Sequence, residues 1–304
     1  MPDPRTVCGA VVIGRNEGER LRRCLAAVTR QLDHIVYVDS GSTDDSLALA
    51  RAMGVTAIEL DVDQPFTAAR ARNAGARALT QAHPDLAFVQ FIDGDCELDP
   101  GWLAAAMAAM SQAPRIAVVC GRRRERQPDA SVYNRLCDIE WNTPVGETDA
   151  CGGDSLMRLS AFQQAGGFAP DLIAGEEPDL CHRLRQLGWK VWRIDAEMTL
   201  HDAGMTRPSQ WWARAKRSGY ATAEAWQRRG NSDPRLRRQA LSNVFWAQPL
   251  AWPLWPVLWW RVYRRAGSLQ ATHIVLGKLP HLHGQLRYWL DRPKGQPATL
   301  IEYK

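Results

Sequence analysis

The segment Phe91-Ile-Asp-Gly-Asp-Cys-Glu97 closes an apolar run with two carboxylates, Asp93 and Asp95, separated by Gly94. Hard oxygen ligands at this spacing suit Mg2+ or Mn2+ carrying a diphosphate, and the glycine leaves room for a close ligand. The same residues also suit a turn in which aspartate caps the helix after Pro100. Gly175-Glu-Glu-Pro-Asp179 opens a helical pattern with three acids in its first turn. Acids there complement the helix dipole; one held near an apolar wall and a second acid is equally suited to act as a general base with a raised pKa. His201 follows the strand-like Met198–Leu200 and either completes a metal site through its imidazole or is structural. Asp39, after Ile35-Val-Tyr-Val38, either accepts hydrogen bonds from a nucleobase or ribose or forms an Asx turn. Arg70 and Arg72, early on a helix, and Arg15-Asn16-Glu17, at a strand's end, read as ligand contacts or as solvated surface.

These residues need a scaffold that brings strand ends together. The apolar, β-branched runs Val7–Ile13, Ile35–Asp39, Val55–Leu60 and Leu86–Ile92 are each followed by a segment with helical spacing, which predicts a parallel sheet. Glu19–Arg30, Thr43–Met53 and Thr67–Ala82 are the covering helices, with Ser42-Thr-Asp-Asp45 as a capping box. Another helix over Ala104–Met110 and a strand over Ile116–Cys120 follow. In open sheets of this kind ligands gather beyond the carboxyl ends of the strands, where the acids just named fall. From Ser131 the pattern is mixed: a helix over Tyr133–Trp141, a Gly-rich stretch Cys151–Met157 leading into a strand, a helix over Glu176–Leu187 and a strand over Trp189–Ile194. Beyond His201 the chain reads as helical, with Pro208–Arg228, a Trp/Pro-rich stretch Val244–Tyr263 and a last helix near Gln270–Leu290.

The chain has 304 residues, 45% hydrophobic and 23% charged, which excludes disordered, collagen-like and polytopic membrane classes. Its net charge of +5 is unevenly spread: residues 1–200 carry 21 Lys/Arg against 28 Asp/Glu, and residues 201–304 carry 17 against 5. Nine of the 13 tryptophans also follow position 200. Tryptophan with arginine suits a lipid headgroup layer, although tryptophan also fills helical cores. Val244–Tyr263 has the length of a bilayer span, but Pro249, Pro253, Pro256 and Arg261 interrupt it. An interfacial or re-entrant segment through residues 235–265 fits better than a span. The basic residues are interleaved with apolar stretches rather than gathered in a polar groove, so no nucleic acid is expected as a partner. Seven cysteines without regular spacing or CxxC read as free thiols of a reducing compartment, and no secretory signal is evident at the start.

Taken in order, Val12–Glu17, Asp39-Ser-Gly-Ser-Thr-Asp44, Ala69–Gly75 with Arg72-Asn73, Asp93-Gly-Asp95, Gly166-Gly-Phe168, Gly175-Glu-Glu-Pro-Asp-Leu180 and His201 resemble the inverting family 2 glycosyltransferases of the GT-A fold. The resemblance covers residues 6–203. It implies an α/β fold in which a mostly parallel, nucleotide-binding sheet is flanked by helices, with a basic, Trp-rich helical appendage. Residues 1–203 form the transferase domain, 1–125 its nucleotide-sugar half and 126–203 its acceptor half; 204–304 form a membrane-associating region. The implied donor is a nucleoside-diphosphate sugar, the acceptor a lipid-linked or cell-envelope glycan hydroxyl, the cofactor Mg2+ or Mn2+, and the type hexosyltransferase. By the same resemblance Asp39 and Arg72 contact the nucleobase, with Arg15, Glu17 and Gly94 beside the donor. Asp93 contacts ribose or metal, and Asp95 and His201 ligate the metal. The catalytic base maps to Glu177, where the family usually has aspartate, with Glu176 as the fallback. Trp141, Gly153 and Asp154 are expected to line the acceptor pocket. The expected location is cytoplasmic, peripheral or monotopic on the inner face of the membrane. The competing reading is a non-catalytic nucleotide-sugar sensor or membrane scaffold.

Overall fold

The computed structural model describes residues 3–61 and 63–291, so residues 292–304 of the expected C-terminal region lie outside the described residues. The chain divides into two compact units: Met1–Arg126 with Asp138–Leu172 and Glu176–Ala203, and Gln127–Cys137 with Ile173–Gly175 and Gly204–Lys304.

The first unit is built on a nine-stranded sheet. Its elements in chain order are α1 (Pro4–Val7), β1 (Cys8–Gly14), α2 (Glu19–Thr29), β2 (Ile35–Asp39), α3 (Ser46–Ala52), β3 (Thr56–Glu59), α4 (Ala68–Ala82), β4 (Phe88–Asp93), β5 (Cys96–Leu98), α5 (Trp102–Gln112) and β6 (Ile116–Glu125). After α6 (Val132–Glu140), whose residues fall in both units, come β7 (Gly146–Glu147), β8 (Ser155–Arg158), α7 (Leu159–Gln164), α8 (Glu176–Gln186) and β9 (Lys190–His201). The order is β3-β2-β1-β4-β8-β6-β9-β5, with β7 on β9. β1 is apolar and almost wholly buried, as a strand covered on both faces must be. It pairs in parallel with β2 and β4, bringing Gly14 beside Asp39 and Ile13 beside Asp93.

The sequence predicts a mostly parallel sheet; the structure is parallel across β3-β2-β1-β4 and mixed beyond. β8 lies between β4 and β6 and runs against both, and β5 and β7 run against β9. Strands β6 and β9 outrun their expected ends at Cys120 and Ile194. They pair with each other through register shifts around Gly121, which break the alternation a sequence pattern relies on. The expected capping box also differs: α3 begins at Ser46, whose N–H is met by Asp44, while Ser42 hydrogen-bonds Asp39.

The second unit is helical: α9 (Pro208–Arg229), α10 (Pro234–Ala247), a 3-10 stretch Pro249–Leu254, α11 (Trp255–Leu276) and α12 (Lys278–Asp291). The helix expected near 270–290 is shared between α11 and α12, which meet at Gly277 with helical backbone angles, while α11 is kinked at Gly267, whose φ of 80° and ψ of 172° are not helical. α9 and α12 cross closely: a Cβ at Gly284 would lie 1.9 Å from the Lys216 carbonyl, and one at Gly219 would lie 2.1 Å from that of His281. Tyr220 and Tyr288 meet edge to face at 5.2 Å in the small core. Along α10, the 3-10 stretch and α11, Phe245, Leu250, Trp252, Val257 and Trp260 are exposed, Leu250 by 88%. The indole N–H groups of Trp252, Trp255 and Trp259 are bonded within this unit, so the rings are held in place. Residues 234–290 contain eight Lys/Arg and no Asp or Glu. Among the described residues no helix is long and apolar enough to cross a membrane.

Candidate active site

The carboxyl ends of β4, β6 and β9, the second turn of α4 and the first turn of α8 bring the expected acids together. Arg72, in the second turn of α4, is buried and bridges three of them. One nitrogen lies 2.7 Å from Asp93; the other lies 2.7 Å from Glu176 and 3.3 Å from Glu177. Arg72, expected at a nucleobase, is enclosed by these carboxylates. Burial works against its charge, but Asp93, Glu177 and Glu176 outweigh it and hold it firmly protonated.

A second arginine, Arg123 on β6, completes the frame. Its Nε and Nη2 lie 2.9 and 2.6 Å from Asp154, and Nη2 lies 3.3 Å from Asp93. Asp154, expected to line an acceptor pocket, is wholly buried: it accepts from the Asp93 N–H at 3.0 Å and from the Thr199 hydroxyl at 2.8 Å. Four donors on a carboxylate with no exposed surface make it a brace beneath Asp93. Gly153 has a related role, since a Cβ there would lie 2.5 Å from Asp93 Oδ2 and 2.7 Å from Arg72 Nη2. Sequence reasoning missed Arg123, because the strand was expected to end at Cys120. The available signal was the run Arg122-Arg123-Arg124 beside a strand end.

Asp95 and His201 are both buried, and His201 Nε2 lies 3.2 Å from Asp95 Oδ2. The register of β5 on β9 places His201 beside Cys96. Donor atoms of Asp95, Cys96 and His201 lie within 4.8 Å of one another, as do those of Asp93, Cys96 and Asp154. The residues fit a divalent cation. Burial lowers the His201 pKa, which favours the neutral imidazole a metal needs. Its Nδ1 is buried without a hydrogen-bond partner, 3.8 Å from Glu125. Were His201 to ligate a metal through Nε2, Nδ1 would carry the proton and face that carboxylate. Burial holds the Cys96 thiol well above its ordinary pKa, leaving oxygen and imidazole donors that suit Mg2+ or Mn2+. The Trp141 ring stands edge-on to His201 at 4.6 Å, with the Arg123 guanidinium 5.5 Å from its centre.

On α8, Glu177 has its pKa raised to about 7, by burial first and by the neighbouring charge of Glu176 second, with Arg72 pulling the other way. Such a carboxylate can hold or release a proton at neutral pH. At the other end of the site, Asp39 is buried and accepts from Tyr37, Ser42 and the N–H of Gly41 and Ser42 at 2.5–3.0 Å. Asn16 adopts φ 55° and ties its loop to the next through Thr43 and Ser42. Arg15 is exposed on this loop, and Glu17 pairs with Arg20 at 2.8 Å. Gly94 donates to the Ile13 carbonyl at 2.8 Å, seating the Asp93–Asp95 turn against β1.

Residues 10–164, half of the chain, match the model of glycosyl transferase family 2. The chain belongs to that family. The matched stretch contains Asp39, Arg72, Asp93, Asp95, Trp141 and Asp154; Glu176, Glu177 and His201 lie beyond it. Among relatives, glycosyltransferase AglE of Haloferax volcanii is 24% identical over 189 residues, covering 58% of this chain and 60% of that protein. A pre-mycofactocin glycosyltransferase of Mycobacterium tuberculosis is 26% identical over 229 residues, covering 70% of this chain and 46% of that protein. The chain thus spans 60% or less of these relatives. The mannosyltransferase PcManGT from Pyrobaculum calidifontis, solved with GDP-Man and Mn2+, matches with TM-score 0.64 at 18% identity, covering 96% of this chain and 90% of that one. This family 2 glycosyltransferase therefore has the GT-A fold, and its mixed sheet with flanking helices is that fold's α/β architecture.

Proposed function

We propose that the enzyme transfers a hexose, with inversion, from a nucleoside-diphosphate sugar to a hydroxyl of a membrane-associated acceptor, a lipid-linked or cell-envelope glycan. The observation that carries this reading is Glu177: a carboxylate raised to about pH 7, in a cluster where Arg72 also holds Asp93. In this reading Glu177 takes the proton of the acceptor hydroxyl as its oxygen attacks the anomeric carbon, and one displacement inverts that centre. Glu176 shares Arg72 and keeps Glu177's proton affinity high. Asp95, His201 and Asp93 would hold Mg2+ or Mn2+, which would supply positive charge for the departing diphosphate. Asp154 and Arg123 keep Asp93 in place. Asp39, Arg15, Glu17 and Gly94 form the donor side, and Trp141 and Gly153 the acceptor side. The Mn2+ present with GDP-Man in the PcManGT structure supports the metal assignment.

The membrane part of the proposal rests on the second unit. Exposed Trp252, Trp260, Leu250 and Val257, with Arg235, Arg237, Arg238, Arg261, Arg264 and Arg265 in the same acid-free stretch, suit a helix pair lying in an anionic headgroup layer on the inner face of the membrane.

The test is isothermal calorimetry of nucleoside diphosphates with Mn2+ or Mg2+ against the wild type and Asp95→Ala. Metal-dependent binding of one nucleotide, lost in the variant, is expected. A folded wild type that binds none of them would refute the transfer reading in favour of a scaffold.

A further inference from the structure

Among the described residues three arginines are buried, Arg72, Arg122 and Arg193. Arg72 has its carboxylates, and Arg122 has Asp138 at 2.8 Å. Arg193, on β9, is only 3% exposed, its Nε has no hydrogen-bond partner, and among the described residues no carboxylate lies within ion-pairing distance of it. The acids on the neighbouring edge are engaged elsewhere, Glu147 with Lys190 at 2.8 Å and Asp149 with Arg185 at 3.2 Å. The nearby thiols do not neutralise it. Burial keeps Cys120 protonated, and its hydrogen bond with Cys181, reinforced by burial, does the same for Cys151. A buried guanidinium without an anion is unfavourable, and it is always charged.

The surroundings of Arg193 leave room for a ligand. Its cross-strand partner on β7 is Gly146, and directly opposed residues of an antiparallel pair project to the same face. A Cβ at Gly146 would meet nothing within 4 Å, and its φ of 117° favours glycine, so the space next to Arg193 on that face stays open. Cys120, three residues before Arg123 on β6, is the register partner of Arg193, and Cys151, three residues before Asp154, lies 3.6 Å from Cys181, one turn beyond Glu177 on α8.

The geometry points to Arg193 as the receiving group for an oxyanion, a phosphate or carboxylate, carried by the acceptor. A planar guanidinium binds either group bidentately, and an unpaired buried one rejects acceptors that lack it. This inference rests on the transferase reading and narrows its acceptor to an anionic one.

The test uses the purified full chain in EDTA, so that metal-held phosphate does not contribute. Thermal unfolding of the wild type and Arg193→Met is followed with inorganic phosphate, octyl phosphate, acetate, and chloride at matched ionic strength. The wild type is expected to gain several degrees from at least one oxyanion beyond the chloride effect. Arg193→Met is expected to unfold no lower than the wild type in chloride and to bind that oxyanion at least tenfold more weakly. Preference for octyl phosphate over inorganic phosphate assigns a lipid phosphate, and a response to acetate alone assigns a carboxylate. Equal responses in both proteins, or no response in the wild type, would overturn the proposal. If Arg193→Met fails to fold, Arg193→Gln serves, with loss of the response expected and its retention overturning. Calorimetry with nucleoside diphosphate and Mn2+ separates the two claims. Intact nucleotide binding without an oxyanion response removes only this inference, whereas an Arg193-dependent response in a wild type that binds no nucleotide removes the transferase reading.

Discussion

In the sheet unit, Arg72 and Arg123 lie among Asp93, Asp154, Glu176 and Glu177, and the apolar side chains of β1, β2 and β4 are enclosed. In the helical unit the distribution is reversed. Arg264 rests on the exposed face of Trp260 at 5.0 Å, and large apolar side chains of α10 and α11 face outward. Burying charge is costly unless partners are fixed beforehand, and exposing apolar surface is costly unless something else covers it. The difference separates a region that gathers paired charge inside from one that leaves apolar side chains outside.

The largest effect expected is on the chemical side. Glu177→Gln should lower turnover by about 10²–10⁴-fold while leaving metal-dependent nucleotide binding intact, read by product formation and calorimetry. The wild type should show kcat/KM rising about tenfold per pH unit below about 7 and levelling above it, because the base must be deprotonated and its pKa is raised to about 7. A profile flat across that range would remove Glu177 from the role. Next, Arg72→Met leaves three buried or half-buried carboxylates without their cation and should cost about 3–5 kcal/mol of stability, measured by urea unfolding. Gly284→Ala forces a methyl group onto the Lys216 carbonyl and should cost about 1–3 kcal/mol, falling on the helical unit. The smallest effect on stability belongs to Trp260→Ser, within about 0.5 kcal/mol because the ring is 56% exposed. The same change should weaken sedimentation with anionic liposomes, and unchanged binding would break the contrast between the two regions.

Much of this was legible in the sequence, for identifiable reasons. β1, β2 and β4 are short apolar runs bounded by polar turns, and their carboxyl ends fall at Gly14, Asp39 and Asp93, so fold and acids were readable together. Arg123 and Asp154 were not, because their roles depend on β8 lying between β4 and β6, a long-range pairing that no local pattern encodes. The register shifts in β6 and β9 likewise hid where those strands end and which residues share a face. For Arg72 the motif was visible, but the number of carboxylates converging on it from α8 was a tertiary fact.

All seven cysteines are buried. Burial also raises the Cys8 thiol to about 12 and those of Cys24 and Cys96 well above the ordinary value. To a maleimide the native enzyme is therefore a nearly blank surface. One cysteine introduced at Leu250, 88% exposed, would carry a fluorophore or spin label without prior removal of the natural thiols. Quenching of that label would report whether the helical unit enters a bilayer, and how deeply, on a protein otherwise unaltered.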